Sequence, residues 1–260
     1  MAIAEVSGVR VPFTDTDGPG LPLVLAHGFL MDRTMFDPQV SALRSRFRVI
    51  TWDQRGHGEA DDAAEPYDYW DLAEDLAGLL DHLGLERAVV GGMSQGGFIS
   101  LRFALRHPDR VAGLVLIDSQ AGLELDEKRG EYDMMRSVWD EDGPSELMGG
   151  MVAAIILGRY PESPAWIARW IARYPRGLGH IYSTLMDRDD ITDRLGEIEA
   201  PALVLHGDED AAIPMERGEA LAAGLPGARG LVVVPGGSHA SNLTNPEAVN
   251  RAIEEFLAGL

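Results

Sequence analysis

The sequence predicts an α/β fold, a doubly wound and mostly parallel sheet. Short and almost uninterrupted apolar runs recur along the chain, as in parallel strands that are buried on both faces. Segments with helical spacing lie between these runs, so strand and helix alternate. The chain has 260 residues, of which 45% are hydrophobic, and this is enough for a large α/β domain with a sizeable core.

Six apolar runs predict the strands. Each is short and almost continuously apolar, as is typical of buried parallel strands. In chain order the runs are 21–26, 47–52, 88–90, 111–117, 201–205 and 231–234.

Two helices have clear sequence signals. The segment 71–83 places leucines 72, 76, 79, 80 and 83 on one face, and Gly84 is a typical helix stop. The last helix is predicted to begin at Asn245-Pro246-Glu247, a capping residue followed by proline and an acid in the first turn.

The alternation stops between about residues 121 and 195, where no strand-like run occurs. Gly143-Pro144, Gly149-Gly150 and prolines 161, 164 and 175 divide this stretch into short helical segments. We therefore predict a helical cap at 121–195, inserted after the strand that ends at Ile117. The predicted core domain comprises 1–120 and 196–260, and the cap lies over the carboxyl edge of its sheet.

Composition excludes several classes of function. The net charge of −20 disfavours nucleic acid and anionic membranes as partners, and the absence of cysteine excludes disulfides and thiolate chemistry. No apolar run approaches the ~20 residues of a membrane span, and the first residues do not resemble a signal peptide. We expect a cytoplasmic location and a small-molecule partner; the oligomeric state stays open.

The pentapeptide Gly92-Met93-Ser94-Gln95-Gly96 reads G-x-S-x-G. It follows the strand at 88–90 and precedes the helical segment 98–105. A serine on such a sharp strand-to-helix turn has an accessible hydroxyl, and the flanking glycines permit the tight backbone. The N–H of Gln95 then points toward the group that the serine attacks. This context favours a nucleophile at Ser94 over an ordinary turn.

Further segments match one family in the same chain order. They are His27-Gly28-Phe29, Asp53-Gln54-Arg55-Gly56-His57-Gly58, the G-x-x-D-x-x-x-P spacing of Gly207, Asp210 and Pro214, and the loop Gly236-Gly237-Ser238-His239. With the serine motif, they make the chain resemble the α/β-hydrolase fold enzymes from residue 21 to 260, least in the cap. The resemblance makes the strand ending at Ile117 the sixth of the fold.

The resemblance implies a triad in the order Ser, acid, His. A serine hydroxyl needs a base, and the base needs a group that orients it. His239 is the preferred base because it lies in a loop after the last strand. We interpret His107 as a residue that caps a helix end, His180 as a residue of the cap domain and His206 as a buried structural residue. The implied acid is Asp210, with Asp118 as the fallback. The implied oxyanion donors are the N–H groups of Phe29 and Gln95.

The cap is rich in residues suited to an apolar pocket. Three of the chain's five tryptophans and half of its ten methionines lie between positions 134 and 186. Flexible methionines and broad indole rings suit an acyl chain or ring. The predicted pocket residues are Trp139, Trp166, Trp170, Met148 and Met151. The alternative is that they form the cap's own core.

These features predict a serine hydrolase that cleaves a carboxylic ester or lactone, preferably an apolar one, without metal or organic cofactor. Haloalkane dehalogenases and epoxide hydrolases resemble the chain but carry Asp where Ser94 stands. Two alternatives stay open. One is a cofactor-free haloperoxidase or perhydrolase, although members of that group often have Pro where Leu30 follows Phe29. The other is a non-enzymatic ligand receptor.

Overall fold

A computed structural model describes residues 2–123, 126–175 and 177–260. Within these ranges the chain forms one sheet of eight strands in the order β1-β2-β4-β3-β5-β6-β7-β8. The strands are β1 Ala2–Val6, β2 Val9–Asp15, β3 Pro22–Ala26, β4 Arg48–Trp52, β5 Ala88–Met93, β6 Val111–Ile117, β7 Ala202–Gly207 and β8 Ala228–Val234.

The predicted parallel sheet is confirmed. Strands β3 to β8 pair in parallel, and β1 and β2 pair antiparallel at one edge. The six predicted strands correspond to β3–β8. The central strand β5 is buried along its whole length, as expected for a strand covered on both faces.

The two strands of the β1–β2 hairpin were not predicted from the sequence. Ser7 and Gly8, between the two strands, both have positive φ, 51° and 78°. Two such residues are typical of the tight turn that matches the twist of a hairpin. The Ser-Gly pair between two short runs containing Val and Phe was the available sequence signal.

Helices connect the strands. The face of α2 that carries Leu72, Leu76, Leu79 and Leu80 is buried, and the Asp68 side chain caps its first turn. Pro246 begins α10 (Pro246–Ala258) as predicted, but the expected side-chain cap at Asn245 is wrong. The Asn245 side chain accepts no N–H of the first turn, and its Nδ2 donates to the carbonyl of Pro235 at 2.9 Å. The helices of the core are α1 Asp37–Leu43, α2 Tyr69–His82, α3 Gln95–Arg106, α8 Met215–Gly224, α9 Ser241–Thr244 and α10 Pro246–Ala258.

The cap follows the sixth strand, as the sequence predicts. Between β6 and β7 the chain forms α4 Asp126–Asp142, α5 Glu146–Ile156, α6 Ser163–Arg173 and α7 Gly179–Met186. The exact domain boundaries stay a prediction, and positions 124, 125 and 176 of the predicted cap lie outside the described residues. Among the helices of the described ranges, none is long and apolar enough to cross a membrane.

Candidate active site

Ser94 occupies the turn between β5 and α3 with an unusual backbone conformation, φ 50° and ψ −112°. A positive φ is strained for a residue with a side chain and persists only where neighbours hold it. Here the Ser94 N–H donates to the carbonyl of Ile117 at 2.9 Å, and the Ser119 hydroxyl donates to the Ser94 carbonyl at 2.8 Å. Neighbouring strand β6 and the loop after it therefore fix the turn.

The two glycines of the motif are required by the approach of β3. A Cβ atom at Gly92 would lie 2.1 Å from the carbonyl oxygen of Ala26, and one at Gly96 would lie 1.9 Å from the same atom. Either side chain would force strand and helix apart. The G-x-S-x-G spacing therefore reflects a single backbone carbonyl that packs against both ends of the turn.

His239 and Asp210 are hydrogen-bonded. The His239 Nδ1 lies 2.8 Å from Asp210 Oδ2, and the Asp210 side chain has no exposed surface. Its other oxygen, Oδ1, accepts the N–H groups of Ala212 and Ile213 at 2.8 and 2.9 Å. Burial raises the pKa of Asp210, but the charge and hydrogen bond of His239, together with the Ile213 N–H, outweigh it and lower that pKa overall.

Asp118, the fallback acid, also lies at this edge of the sheet. It is fully buried, and its partners are distant in the chain: Oδ1 accepts the N–H of Gly207 at 2.8 Å and Oδ2 accepts that of Ser241 at 2.9 Å. Burial and then the Asp210 charge raise the pKa of Asp118 to about 7. Asp118 thus contacts the loops that carry Asp210 and His239.

His206 lies directly against Asp210. Its Nε2 is 2.9 Å from the carbonyl of Ile213 and 3.3 Å from Asp210 Oδ2, and the ring is fully buried. One ligand atom each of Asp118, His206 and Asp210 lie within 4.8 Å of one another, a spacing compatible with a metal ion. The two carboxylates, however, already accept hydrogen bonds from backbone N–H groups and from His239. We therefore interpret the cluster as a hydrogen-bonded support for the His239–Asp210 pair.

The loop after β3 holds the first of the two expected oxyanion donors. His27 Nδ1 lies 2.8 Å from the carbonyl of Gly28, and its Nε2 accepts the N–H of Gln54 at 3.1 Å. Both nitrogens are therefore used, and burial lowers the pKa of His27, which excludes it as the base. Because a trans peptide directs N–H opposite to C=O, holding the Gly28 carbonyl turns the Phe29 N–H away from His27.

Gln95, the second expected donor, is the first residue of α3. Its side chain is buried and held in place: Tyr69 donates its hydroxyl to Oε1 at 3.1 Å, and Nε2 donates to the Gln54 side chain at 2.7 Å. The backbone N–H groups at the start of a helix lack intrahelical partners and favour negative charge. Phe29 lines the same cavity as Ser94, and Gln95 directly follows Ser94, which supports the expected roles; these stay a prediction.

Ser94 and His239 line one small cavity of about 50 Å³ between core and cap. Its walls are largely apolar. The core contributes Phe29, Leu30, Met93, Ala212 and Ile213, and the cap contributes Tyr132, Met135, Val152, Ile155, Ile156 and Leu185.

The predicted pocket residues need correction, because none of the five is among the described residues that line this cavity. Trp139 is fully buried and donates its Nε1–H to the carbonyl of Tyr174 at 3.0 Å. Trp166 packs against the Arg169 guanidinium, 4.6 Å from the ring centroid, and Trp170 is buried. The indole of Trp139 thus packs within the cap, whereas Trp170 lines a separate cleft beside Leu30 and Met31 of the core. Met148 and Met151 line a neighbouring cleft.

The comparisons with known proteins agree with this geometry. Residues 22–141 match the family model described as alpha/beta hydrolase fold, and residues 184–259 match one described as TAP-like protein. A relative from Caulobacter sp. (strain K31), named "Putative carbamate hydrolase RutD", is 32% identical over 91% of this chain and 90% of its own length.

Two solved structures are similar over the full chain. A thermophilic esterase from Thermogutta terrifontis is 33% identical, with a TM-score of 0.89 over 99% of this chain and 98% of its own. An enol-lactonase from Burkholderia xenovorans LB400 is 27% identical, with a TM-score of 0.85 over 99% of this chain and all of its own (100%). By its sequence, its sheet and the serine turn between β5 and α3, this chain is a hydrolase that belongs to the α/β-hydrolase fold superfamily, in the group that includes esterases and lactonases.

Proposed function

We propose that the protein is a serine hydrolase that cleaves a carboxylic ester or lactone through an acyl-enzyme on Ser94. One observation carries the proposal. The strained turn at Ser94 shares a cavity with His239, whose Nδ1 lies 2.8 Å from a buried carboxylate of Asp210. A nucleophile, a base and a group that orients the base are the parts that acyl transfer requires.

In the proposed reaction, His239 accepts the hydroxyl proton as Ser94 attacks the acyl carbon. The N–H groups of Phe29 and Gln95 stabilise the negative charge that forms on the carbonyl oxygen. Protonated His239, oriented by Asp210, then gives its proton to the leaving alcohol as the carbon–oxygen bond breaks. Water repeats the sequence: His239 takes its proton, hydroxide attacks the acyl carbon, and Ser94 is released with its proton restored.

The cavity supports an apolar substrate. In the part of the chain that the structure describes, no charged side chain other than that of the titratable His239 lines it. The similarity to an esterase and an enol-lactonase supports an acyl-oxygen bond as the target. A carbamate carries the same kind of carbonyl, so carbamates belong in the substrate screen. A cytoplasmic location stays a prediction from the sequence.

Replacement of the nucleophile tests the proposal. Ser94→Ala is expected to lower kcat for a short aryl ester about 10⁶-fold, as when a serine protease loses its triad serine. A fluorophosphonate should label the wild type at Ser94 and should not label the variant. Ser45→Ala changes an exposed serine and is the matched control, expected to retain full activity and labelling. Near-wild-type turnover by the Ser94 variant contradicts the proposal.

The same protein preparations distinguish the alternatives. Peroxide-dependent halogenation in acetate, with poor ester turnover, would favour the perhydrolase. Binding of esters or lactones that raises the melting temperature without turnover would favour the receptor.

A further inference from the structure

A second, larger apolar cleft lies on the cap surface between α4 and α5. Its volume is about 630 Å³, against about 50 Å³ for the cavity at Ser94. Two of its methionines are strongly exposed, Met134 by 71% and Met151 by 50%. Large apolar side chains are rarely left in water at one place without a binding role. The cleft also includes Met148, which like Met151 is a predicted pocket residue.

The cleft adjoins the cavity at Ser94. Four side chains line both spaces: Tyr132, Met135, Val152 and Ile155. The cavity alone holds roughly three to five groups of the size of water or methylene. An acyl chain of more than about five carbons, with its carbonyl at Ser94, therefore has to continue beyond the cavity, and this shared wall separates it from the cleft.

The helices that flank this wall, α4 and α5, are hydrogen-bonded to different parts of the molecule. On the α4 side, Asp133 accepts the Tyr182 hydroxyl of α7 at 2.8 Å, and Trp139 donates to the Tyr174 carbonyl. On the α5 side, the Ile156 carbonyl accepts the N–H of Ala240, next to His239, at 2.9 Å. Side chains fill the seam between them, and methionine changes rotamer readily. Met135 lines both spaces, and passage of a chain between them would need rotation of such a side chain but no break in these helix bonds.

We propose that the cleft is a second subsite, which binds the distal end of a long acyl chain whose carbonyl lies at Ser94. This inference rests on the proposed function and names its substrate class: esters or lactones with apolar chains of about six carbons or more. Lys128 and Glu131 also line the cleft, and their charged groups pair with each other at 3.2 Å.

The chain-length dependence of kcat/KM tests the proposal. Each methylene moved out of water increases affinity up to about fourfold, so kcat/KM of the wild type should continue to rise from butanoyl to octanoyl esters. Met151→Glu introduces a charge into the cleft and is expected to lower the octanoyl-to-butanoyl ratio about tenfold. Leu147→Glu is the matched control: Leu147 lies one turn earlier on α5, is 77% exposed and does not line the cleft, so the ratio should not change.

A binding measurement separates failure of this inference from failure of the proposed function. Ser94→Ala protein is titrated with octanamide and butanamide, with and without Met151→Glu or Leu147→Glu. In Ser94→Ala, octanamide should bind more tightly than butanamide. Met151→Glu should lower this ratio of affinities about tenfold and Leu147→Glu should leave it unchanged, whether or not the wild type turns over an ester. An unchanged octanamide affinity or an unchanged ester ratio in Met151→Glu overturns the subsite. A concentration-dependent dimer that Met151→Glu dissociates would also overturn it, because the cleft would then be a subunit interface.

Discussion

The choice of acid after β7 is decided by individual hydrogen bonds. Asp208, Glu209 and Asp210 are consecutive, yet only Asp210 has a fully buried carboxylate within hydrogen-bond distance of His239. Asp208 is exposed and accepts the N–H of Gly236 at 2.6 Å, which stabilises a turn. An acid that must orient a base in every catalytic cycle needs the fixed position that Asp210 has.

Asp210→Asn is expected to lower kcat on the order of 10⁴, the cost of the comparable change in a serine protease triad. The amide cannot accept the Nδ1 proton of His239 with the same charge, so the base loses its orientation and the stabilisation of its protonated form. Asp208→Asn should lower kcat less than twofold, and Asp118→Asn should fall between the two. Steady-state kinetics on one ester measure all three; a larger loss for Asp118→Asn would make Asp118 the acid.

Site residues could be predicted from the sequence only where a reactive side chain lies in a short motif of known spacing. Ser94, Asp210 and His239 lie in motifs whose turns are local, so short stretches were enough to predict that they meet. Asp118 and His206 lack such a signal. The partners of Asp118 are 89 and 123 residues away, and only the alignment of β6 with β7 brings them together. Their position at the carboxyl ends of neighbouring strands was the one available indication.

Among the elements, α5 contacts both the cavity and the loop that carries His239. Val152, Ile155 and Ile156 line the cavity at Ser94, and the carbonyl of Ile156 holds the loop of His239. The helix begins at Glu146, so the pair Gly149-Gly150 lies inside it and does not divide two helical segments as the sequence suggested. A Cβ atom at Gly149 would lie 2.5 Å from Ile167 Cγ2 of α6, whereas one at Gly150 would have no neighbour within 4 Å. Only the first glycine is required by packing.

Gly150→Ala is expected to raise the free energy of unfolding by about 0.5 to 1 kcal/mol, because alanine loses less conformational entropy in a helix. Gly149→Ala should lower the free energy of unfolding by about 1 to 3 kcal/mol, since its methyl group crowds α6. Urea unfolding of the two variants and the wild type measures both. Equal changes of the same sign would show that α5 and α6 do not pack as described.

Elements with a regular apolar pattern could be predicted from the sequence. The environment of residues in the cap could not, because it depends on which other elements they pack against. The apolar runs of β3–β8 and the leucine face of α2 need no knowledge of their surroundings. In the cap, apolar residues face either another helix or a cavity, and composition does not distinguish these environments. Trp139 therefore looked like a pocket residue although it is buried and bonded to the end of α6 within the cap.

For the whole molecule, Asp118 joins two parts of the core that the cap separates in sequence. It follows β6, the last strand before the cap, and binds the N–H groups of Gly207 at the end of β7 and Ser241 at the start of α9. A buried carboxyl here brings its charge close to that of Asp210. The fold therefore gains two backbone hydrogen bonds, but ionisation of Asp118 costs stability.

This cost has a defined dependence on pH. The pKa of Asp118 is about 7 in the folded protein, against an ordinary value of 3.8, so folding favours the protonated form. The contribution of protonated Asp118 to the free energy of unfolding is fully present below about pH 4 and is lost as pH rises through 7. Asp118→Asn has no charge to lose. The melting temperature of the variant minus that of the wild type should therefore rise between pH 4 and pH 7 and level off above.

The replaced oxygen leaves one backbone N–H without an acceptor, which lowers the variant's melting temperature by a similar amount at every pH and does not alter the trend. Asp208→Asn, at an exposed position, is the control and should show a nearly constant difference across the same range. Differential scanning calorimetry at half-unit intervals from pH 4 to pH 8 measures both series. A difference for Asp118→Asn that is flat or falls with pH would mean that Asp118 is ionised throughout, held by its two N–H donors despite the charge of Asp210.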